Sequence, residues 1–137
     1  MTAPTDPRPH FLTATTWVTE LMTGISPEQL GSPSPCTEFD VHSLMGHLIG
    51  VARRVRAAGA GEDIFAVEMT VTDPTVEEYT TTVAEAIENW SDDATLSRLV
   101  RVPWGEVPGA GALWGWTNEN LVHGWDLAVA TGQPAEA

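Results

Sequence analysis

The chain has 137 residues, of which 19 are acidic and six basic, giving a formal net charge of −13. This length predicts one domain over residues 1–137, and the acidity excludes nucleic acid and anionic membrane surfaces as expected partners. One cysteine, no signal-like N-terminus and no apolar run long enough to span a bilayer predict a cytoplasmic protein that does not cross a membrane.

The first half of the chain predicts two helices. Apolar residues at spacings of three, four and seven indicate an amphipathic helix over residues 11–25. A break rich in proline and serine follows at 31–35. Asp40 then occupies the expected N-cap of a second helix, which begins near Val41 and runs towards the glycines at 59 and 61. His47 lies in the apolar row of this helix.

The second half predicts two more helices separated by irregular segments. Residues 63–72 alternate only weakly and indicate a loop or an irregular extended piece. Asp73 as N-cap, with Pro74 at the first helical position, predicts a third helix that ends near Trp90.

The remaining residues predict a hairpin and a final helix. The β-rich stretch 99–108 is interrupted by prolines and is expected to form at most a short hairpin. A last helix over about 112–130 ends before Gly132 and Pro134. The expected fold class is therefore all-α, a four-helix bundle with one long crossover loop.

A set of candidate metal ligands lies on two of these helices. Glu119 and His123 are four residues apart, so their Cβ atoms are expected about 6 Å apart on one helix face. With His47 they offer two imidazoles and a carboxylate, which suits zinc or another divalent ion and leaves a coordination position open. The alternative is an ordinary hydrogen-bonded pair at Glu119 and His123, with His47 as a core imidazole. Spacing alone favours this alternative, whereas three polar groups on otherwise apolar helix faces count towards a metal, because buried polar groups are costly unless they are paired or ligated.

Other residues near these ligands have two interpretations each. Asp126 is predicted to orient the imidazole of His123 as a hydrogen-bond acceptor, or else to be a solvated carboxylate. Trp116 is predicted to flank the ligand row in a partly apolar pocket. Cys36 is interpreted as a packing residue, because no activating group lies near it in the chain. The arginines at 53, 54 and 56 complement the negative end of a helix dipole, or anchor a substrate carboxylate.

Three segments of the chain resemble a known family. They are residues 34–41 (SPCTEFDV), 44–48 (LMGHL) and 119–128 (ENLVHGWDLA). They resemble the metal-binding families around the DinB and mycothiol-dependent maleylpyruvate isomerase N-terminal domains, and most closely short members of unknown activity.

The resemblance implies a DinB-like bundle that holds a divalent metal, usually zinc, at positions matching His47, Glu119 and His123. It further implies a thiol S-transferase or isomerase in which the metal activates water or a low-molecular-weight thiol such as mycothiol, the co-substrate. A small-molecule substrate and a homodimer are expected with it. The alternatives are a thiol-independent metal-dependent lyase or cyclase of a biosynthetic pathway, and a non-catalytic ligand-binding bundle.

Overall fold

The computed structural model describes residues 6–137, which contain four long helices: α1 Arg8–Thr23, α2 Val41–Gly59, α3 Val76–Asn89 and α5 Gly109–Thr131. A one-turn helix, α4 (Ala94–Ser97), and an antiparallel hairpin of β1 (Leu99–Val102) and β2 (Gly105–Pro108) separate α3 from α5. Single-turn 3₁₀ helices lie at Pro27–Gln29 and Ile64–Ala66. The predicted all-α bundle with a short hairpin is confirmed. None of the described helices is both long enough and apolar enough to cross a bilayer.

Helices α2 and α3 are parallel neighbours. Ion pairs join Arg53 to Glu78 and, one turn further along α2 and two turns further along α3, Arg56 to Glu85. Because parallel neighbours need a connection that returns along the bundle, α3 is reached through the long segment 60–75. The predicted crossover loop is this segment.

Helices α1 and α5 are also parallel neighbours. The ring of His10 lies 5.1 Å from that of Trp114 near the start of both helices. At their far ends, Gln133 Nε2 donates to the carbonyl of Leu21 at 2.9 Å. The bundle is thus up-down-down-up, with α5 packed against both α1 and α2.

The core is built from all four long helices, and α2 contributes most to it. The predicted apolar row of α2 is almost completely buried, at Val41, Leu44, Leu48, Val51 and Val55. Burial of each such side chain contributes about 1.5–3 kcal/mol. This row therefore fixes which face of α2 points inward and leaves His47 on its edge, half-buried.

The N-cap of α2 is as predicted, but that of α3 is not. The carboxylate of Asp40 accepts from the Ser43 amide at 2.8 Å, and this bond holds the pKa of Asp40 below its usual value. The predicted start of α3 at Pro74 is wrong, because the hydroxyl of Thr75 accepts from the Glu78 amide and α3 begins at Val76. A threonine hydroxyl, like an aspartate carboxylate, can accept a hydrogen bond from the exposed amides of a first turn.

The first and last helices both start earlier than predicted. Helix α1 begins at Arg8 instead of residue 11, because prolines are tolerated in a first turn and Asp6 accepts from the Arg8 amide at 2.9 Å. Helix α5 begins at Gly109, whose amide donates to the carbonyl of Arg98 at 2.7 Å at the base of the hairpin. The short helix α4 is not predicted from the sequence at all.

A buried polar bridge crosses the bundle from α3 to α5. The hydroxyl of Tyr79 donates to Asn120 Oδ1 at 2.6 Å, and Asn120 Nδ2 donates to the carbonyl of Trp116 at 2.9 Å. Burial raises the pKa of Tyr79, so the hydroxyl keeps its proton. The bridge fixes the residue next to Glu119 against the opposite helix.

We expect Tyr79→Phe to lower the free energy of unfolding by about 1–3 kcal/mol, because Asn120 Oδ1 loses its donor inside the core. Urea unfolding of the two proteins measures this difference. The double variant Tyr79→Phe, Asn120→Leu should recover part of the loss, since no polar atom is then left unpaired. A Tyr79→Phe protein as stable as wild type would contradict the bridge.

Candidate metal centre

The three predicted ligands lie together where α2 faces α5. Glu119 Oε2 is 3.1 Å from His47 Nε2 and 3.3 Å from His123 Nε2. One ligand atom from each residue falls within 4.8 Å of the other two. The crossing of α2 and α5 thus brings together side chains that are 72 residues apart in the chain.

These distances match the requirement of a small divalent ion. Bonds of 2.0–2.1 Å to nitrogen or oxygen in a tetrahedral geometry place neighbouring ligand atoms about 3.3–3.4 Å apart. Both separations measured from Glu119 are already close to that value. Two imidazoles and one carboxylate fit zinc or another first-row ion and leave a fourth position without a protein ligand.

The centre is accessible from solvent. The exposed fractions are 40% for the side chain of Glu119, 24% for that of His47 and 14% for that of His123. A small molecule can therefore approach the carboxylate, whereas the imidazoles are held by their neighbours.

Asp126 lies where the sequence predicts an orienting acceptor. Its Oδ2 is 3.0 Å from His123 Nδ1, and the residue is buried. A carboxylate at Nδ1 favours the tautomer whose proton is on that nitrogen, which leaves the Nε2 lone pair available to an ion bound between this ring and Glu119. This is the arrangement that a metal-binding imidazole needs.

The charges of the centre reinforce one another. The imidazole of His123, with that of His47 beside it, lowers the pKa of Glu119 to about 2. In turn, Glu119 and then Asp126 raise the pKa of His123 above its ordinary 6.5, against the opposing effect of burial. Glu119 is thus ionised at neutral pH.

These two shifts predict how the stability of the metal-free protein depends on pH. The Glu119 contribution is present above its unfolded pKa of 4.5 and is lost as the pH falls towards about 2. The His123 contribution is present below 6.5 and is lost as the pH rises through its raised pKa. Both contributions to the free energy of unfolding are present between pH 4.5 and 6.5. The metal-free wild type should therefore be more stable than His123→Gln by the largest margin at mildly acidic pH. Urea unfolding from pH 4 to 9 measures this, with His42→Gln as the matched control; an equal difference at every pH would contradict the coupling.

Phe39 is a neighbour of the centre that the sequence analysis missed. Its ring stacks on His47 at 5.1 Å between centroids and meets the ring of His123 edge-on at 6.2 Å. It directly precedes the N-cap of α2, and a bulky aromatic residue at that position was the available signal. Phe39 therefore fixes the orientation of both imidazoles from outside the bundle.

Cys36 is closer to the centre than its sequence context indicates. Its sulfur lies within 4.8 Å of ligand atoms of His123 and Asp126. No histidine is near it in the chain, and the contact arises because the loop before α2 folds over α5. Cys36 is half-buried and also packs against the core.

The other predicted residues lie away from the ligand atoms. Trp116 is 3% exposed and packs in the core, and the cavity beside His47 is lined by other residues. Arg53 and Arg56 form ion pairs with α3. Two of the three clustered arginines therefore already have carboxylate partners from the protein itself.

A four-helix bundle with two imidazoles and a carboxylate directed at one point defines a class of helical protein with a candidate metal centre. The sequence profile described as the mycothiol maleylpyruvate isomerase N-terminal domain matches residues 11–128. The chain belongs to this family.

Two curated proteins of Mycobacterium tuberculosis are similar to this chain. The uncharacterized protein Rv0738 of Mycobacterium tuberculosis (strain ATCC 25618 / H37Rv) is 32% identical over 117 residues, which are 85% of this chain and 62% of that protein. An uncharacterized protein of the strain CDC 1551 / Oshkosh matches equally well. The chain thus spans about three-fifths of the length of the curated relatives it matches.

Solved structures share the fold. The crystal structure of the mycothiol-dependent maleylpyruvate isomerase has a TM-score of 0.70 at 19% identity, covering 93% of this chain and 63% of that one. A DinB-like protein from Bacillus subtilis has a TM-score of 0.74 at 16% identity, covering 93% and 91%. Because the sequence identities are below 20%, these structural similarities establish the DinB-like fold alone.

Proposed function

We propose that residues 1–137 form one metal-binding domain that works as a metal-dependent thiol S-transferase or isomerase on a small molecule. The observation that carries this proposal is the convergence of His47, Glu119 and His123 at metal-ligand spacing in a solvent-accessible position. Zinc is the first choice of ion for such a donor set. The family is named after a mycothiol isomerase, and this supports a thiol as the co-substrate.

The residues of this chain have separate roles in this proposal. His47, Glu119 and His123 hold the ion, and Asp126 keeps the proton of His123 on Nδ1 so that Nε2 remains a ligand. The bound ion supplies the positive charge that lowers the pKa of a thiol or a water. Phe39 packs on both imidazoles and shields them from solvent.

Elemental analysis of untagged protein, followed by a thiol-dependent assay, tests this function. We expect close to one divalent ion per chain in wild type, loss of the ion in His47→Ala, and turnover of mycothiol with an electrophile that a chelator abolishes. His42→Ala is the matched control for the metal content, because it removes an imidazole from the same helix without removing a ligand. Turnover without thiol would instead support a lyase or cyclase, and protein that takes up no metal after reconstitution would indicate a non-catalytic ligand-binding bundle.

We also propose that the protein forms a homodimer through α5. This helix exposes five large apolar residues on one face, at spacings of seven, one, three and four: Trp114, Leu121, Val122, Trp125 and Val129. The charged residues of α5 are Glu119 and Asp126, which lie at one edge of this face beside Val122, and Asp126 is buried. An uncharged apolar face on a protein of charge −13 can be covered by a second copy without bringing like charges together.

The dimer predicts a specific effect of Trp125→Glu. A carboxylate in the middle of the apolar face of α5 should convert the protein to a monomer at micromolar concentration, as measured by light scattering after gel filtration. Leu99→Glu, which places the same charge at an exposed apolar position of the hairpin, should leave the dimer intact. A wild-type monomer would contradict the proposal.

A further inference from the structure

A cavity of about 570 Å³ opens beside the candidate metal centre. One wall is the start of α2, with Phe39, Ser43 and His47, and the other is the crossover segment 69–72. The two walls lie close together, because a Cβ on Gly50 would be only 2.9 Å from the Met69 carbonyl oxygen. Since His47 lines this cavity and also belongs to the ligand set, a molecule bound there lies next to the centre.

The lining of this cavity carries no formal charge at neutral pH when histidines are neutral. It combines the apolar surfaces of Phe39, Met69 and Val71 with the hydroxyls of serine and threonine and two imidazoles, those of His42 and His47. None of the residues that line it is arginine, lysine, aspartate or glutamate. Arg53, two turns further along α2, already donates to the Glu68 carbonyl at 3.0 Å and pairs with Glu78.

The surroundings do not supply a cation either. On the other side of Phe39 a second cavity is lined by Glu38 and Asp40. Within the centre itself, the charge of Glu119 and that of a thiolate together neutralise a divalent ion. Apart from the imidazoles of His42 and His47, which line the cavity, a carboxylate on the second substrate would therefore meet only uncharged or negative groups.

On this basis, and resting on the proposed thiol chemistry, we propose that the second substrate is an uncharged electrophile with an apolar, planar body and no carboxylate. Its body lies against Phe39 and Met69, and its carbonyl, nitro or hydroxyl groups accept hydrogen bonds from the hydroxyls of Ser43 and Thr72. In an S-transfer to an aryl chloride, the C–S bond forms, the C–Cl bond breaks, chloride leaves with the electron pair, and the thiol proton passes to solvent.

Two matched electrophiles test the proposal in the zinc-loaded full chain with mycothiol. 1-Chloro-2,4-dinitrobenzene is neutral, and 4-chloro-3,5-dinitrobenzoate carries a carboxylate on a similar ring. The kcat/KM of each compound is divided by its uncatalysed rate constant. This ratio should be about tenfold or more higher for the neutral compound, because nearby carboxylates of the protein oppose binding of the benzoate. Equal ratios would overturn the proposal.

A binding measurement separates this proposal from the proposed function. 3,5-Dinitrobenzamide should bind more tightly than 3,5-dinitrobenzoate in calorimetry of metal-free protein, since the cavity alone then makes the distinction. If this preference appears without any turnover, the thiol chemistry fails while the cavity assignment stands. If the benzoate binds as tightly as the amide, or neither binds, the cavity assignment fails.

A cation introduced into the cavity provides the converse test. Thr72→Arg, at an exposed position of the cavity wall, should improve binding of the benzoate relative to the amide by about tenfold. Thr13→Arg adds the same charge at an exposed position of α1 and should leave the ratio unchanged. An equal effect of both substitutions would show that net charge, not the cavity, decides the preference, and would overturn the proposal.

Discussion

Replacing His123 with alanine should weaken zinc binding by more than about 100-fold, while Asp126→Asn should weaken it by about 10- to 100-fold. His123 presents Nε2 to Glu119 at 3.3 Å, whereas Asp126 contacts only the opposite ring nitrogen at 3.0 Å. Loss of a ligand removes a coordination bond. Loss of the orienting carboxylate leaves the bond possible but no longer fixes the tautomer of the ring.

Competition with a chromogenic zinc chelator measures both affinities at pH 7.5. Asp92→Asn is the control, because it removes a carboxylate from an exposed loop distant in the chain from the ligands. Far-ultraviolet circular dichroism of the metal-free variants checks that each still folds. The ligand assignment would be contradicted if His123→Ala bound zinc as tightly as Asp126→Asn, since both residues would then act on the ion in the same indirect way.

The sequence predicts the helices well because their apolar periods and caps are local. The row of α2 from Val41 to Val55 and the cap at Asp40 depend only on residues within a few positions of each other. The boundaries are harder to predict, because Thr75 and Asp73 are both acceptable N-caps. Which of them is used depends on where the crossover loop leaves the surface of α2.

The candidate centre could be predicted only in part. The spacing of Glu119 and His123 makes them neighbours on any helix, and His47 is conspicuous as a polar residue beside an apolar row. Phe39 and Cys36 contact the centre because the loop that carries them folds over α5. Phe39 is 84 residues before His123 in the chain. No periodic pattern encodes the path of that loop, so neither contact could be derived from spacing.

The burial of Trp116 shows a related difficulty. Helix α5 is apolar on most of its surface, so its sequence does not distinguish the face that enters the core from the face that is exposed. Trp116 is buried, whereas Trp114 and Trp125 are exposed. The choice depends on where α1 and α2 lie, which is information from other parts of the chain.

The close approach of α1 to α5 leads to the second large effect, at Gly124. A Cβ on Gly124 would lie 2.5 Å from Cζ3 of Trp17, whose ring is buried between the two helices. We expect Gly124→Ala to lower the free energy of unfolding by about 1–3 kcal/mol through overpacking, although alanine in a helix interior normally gains about 0.5–1 kcal/mol over glycine. Urea unfolding of the metal-free protein measures the change.

Gly111→Ala is the matched control on the same helix. A Cβ there would be 3.8 Å from the nearest atom, Cβ of Val107, which is ordinary van der Waals contact. This variant should be as stable as wild type or gain up to about 1 kcal/mol. If the two variants were equally stable, α1 and α5 would have to be further apart than the contact of Gly124 with Trp17 requires. Because Gly124 directly follows His123, the separation forced by its alanine should also weaken zinc binding, whereas Gly111→Ala should not change it.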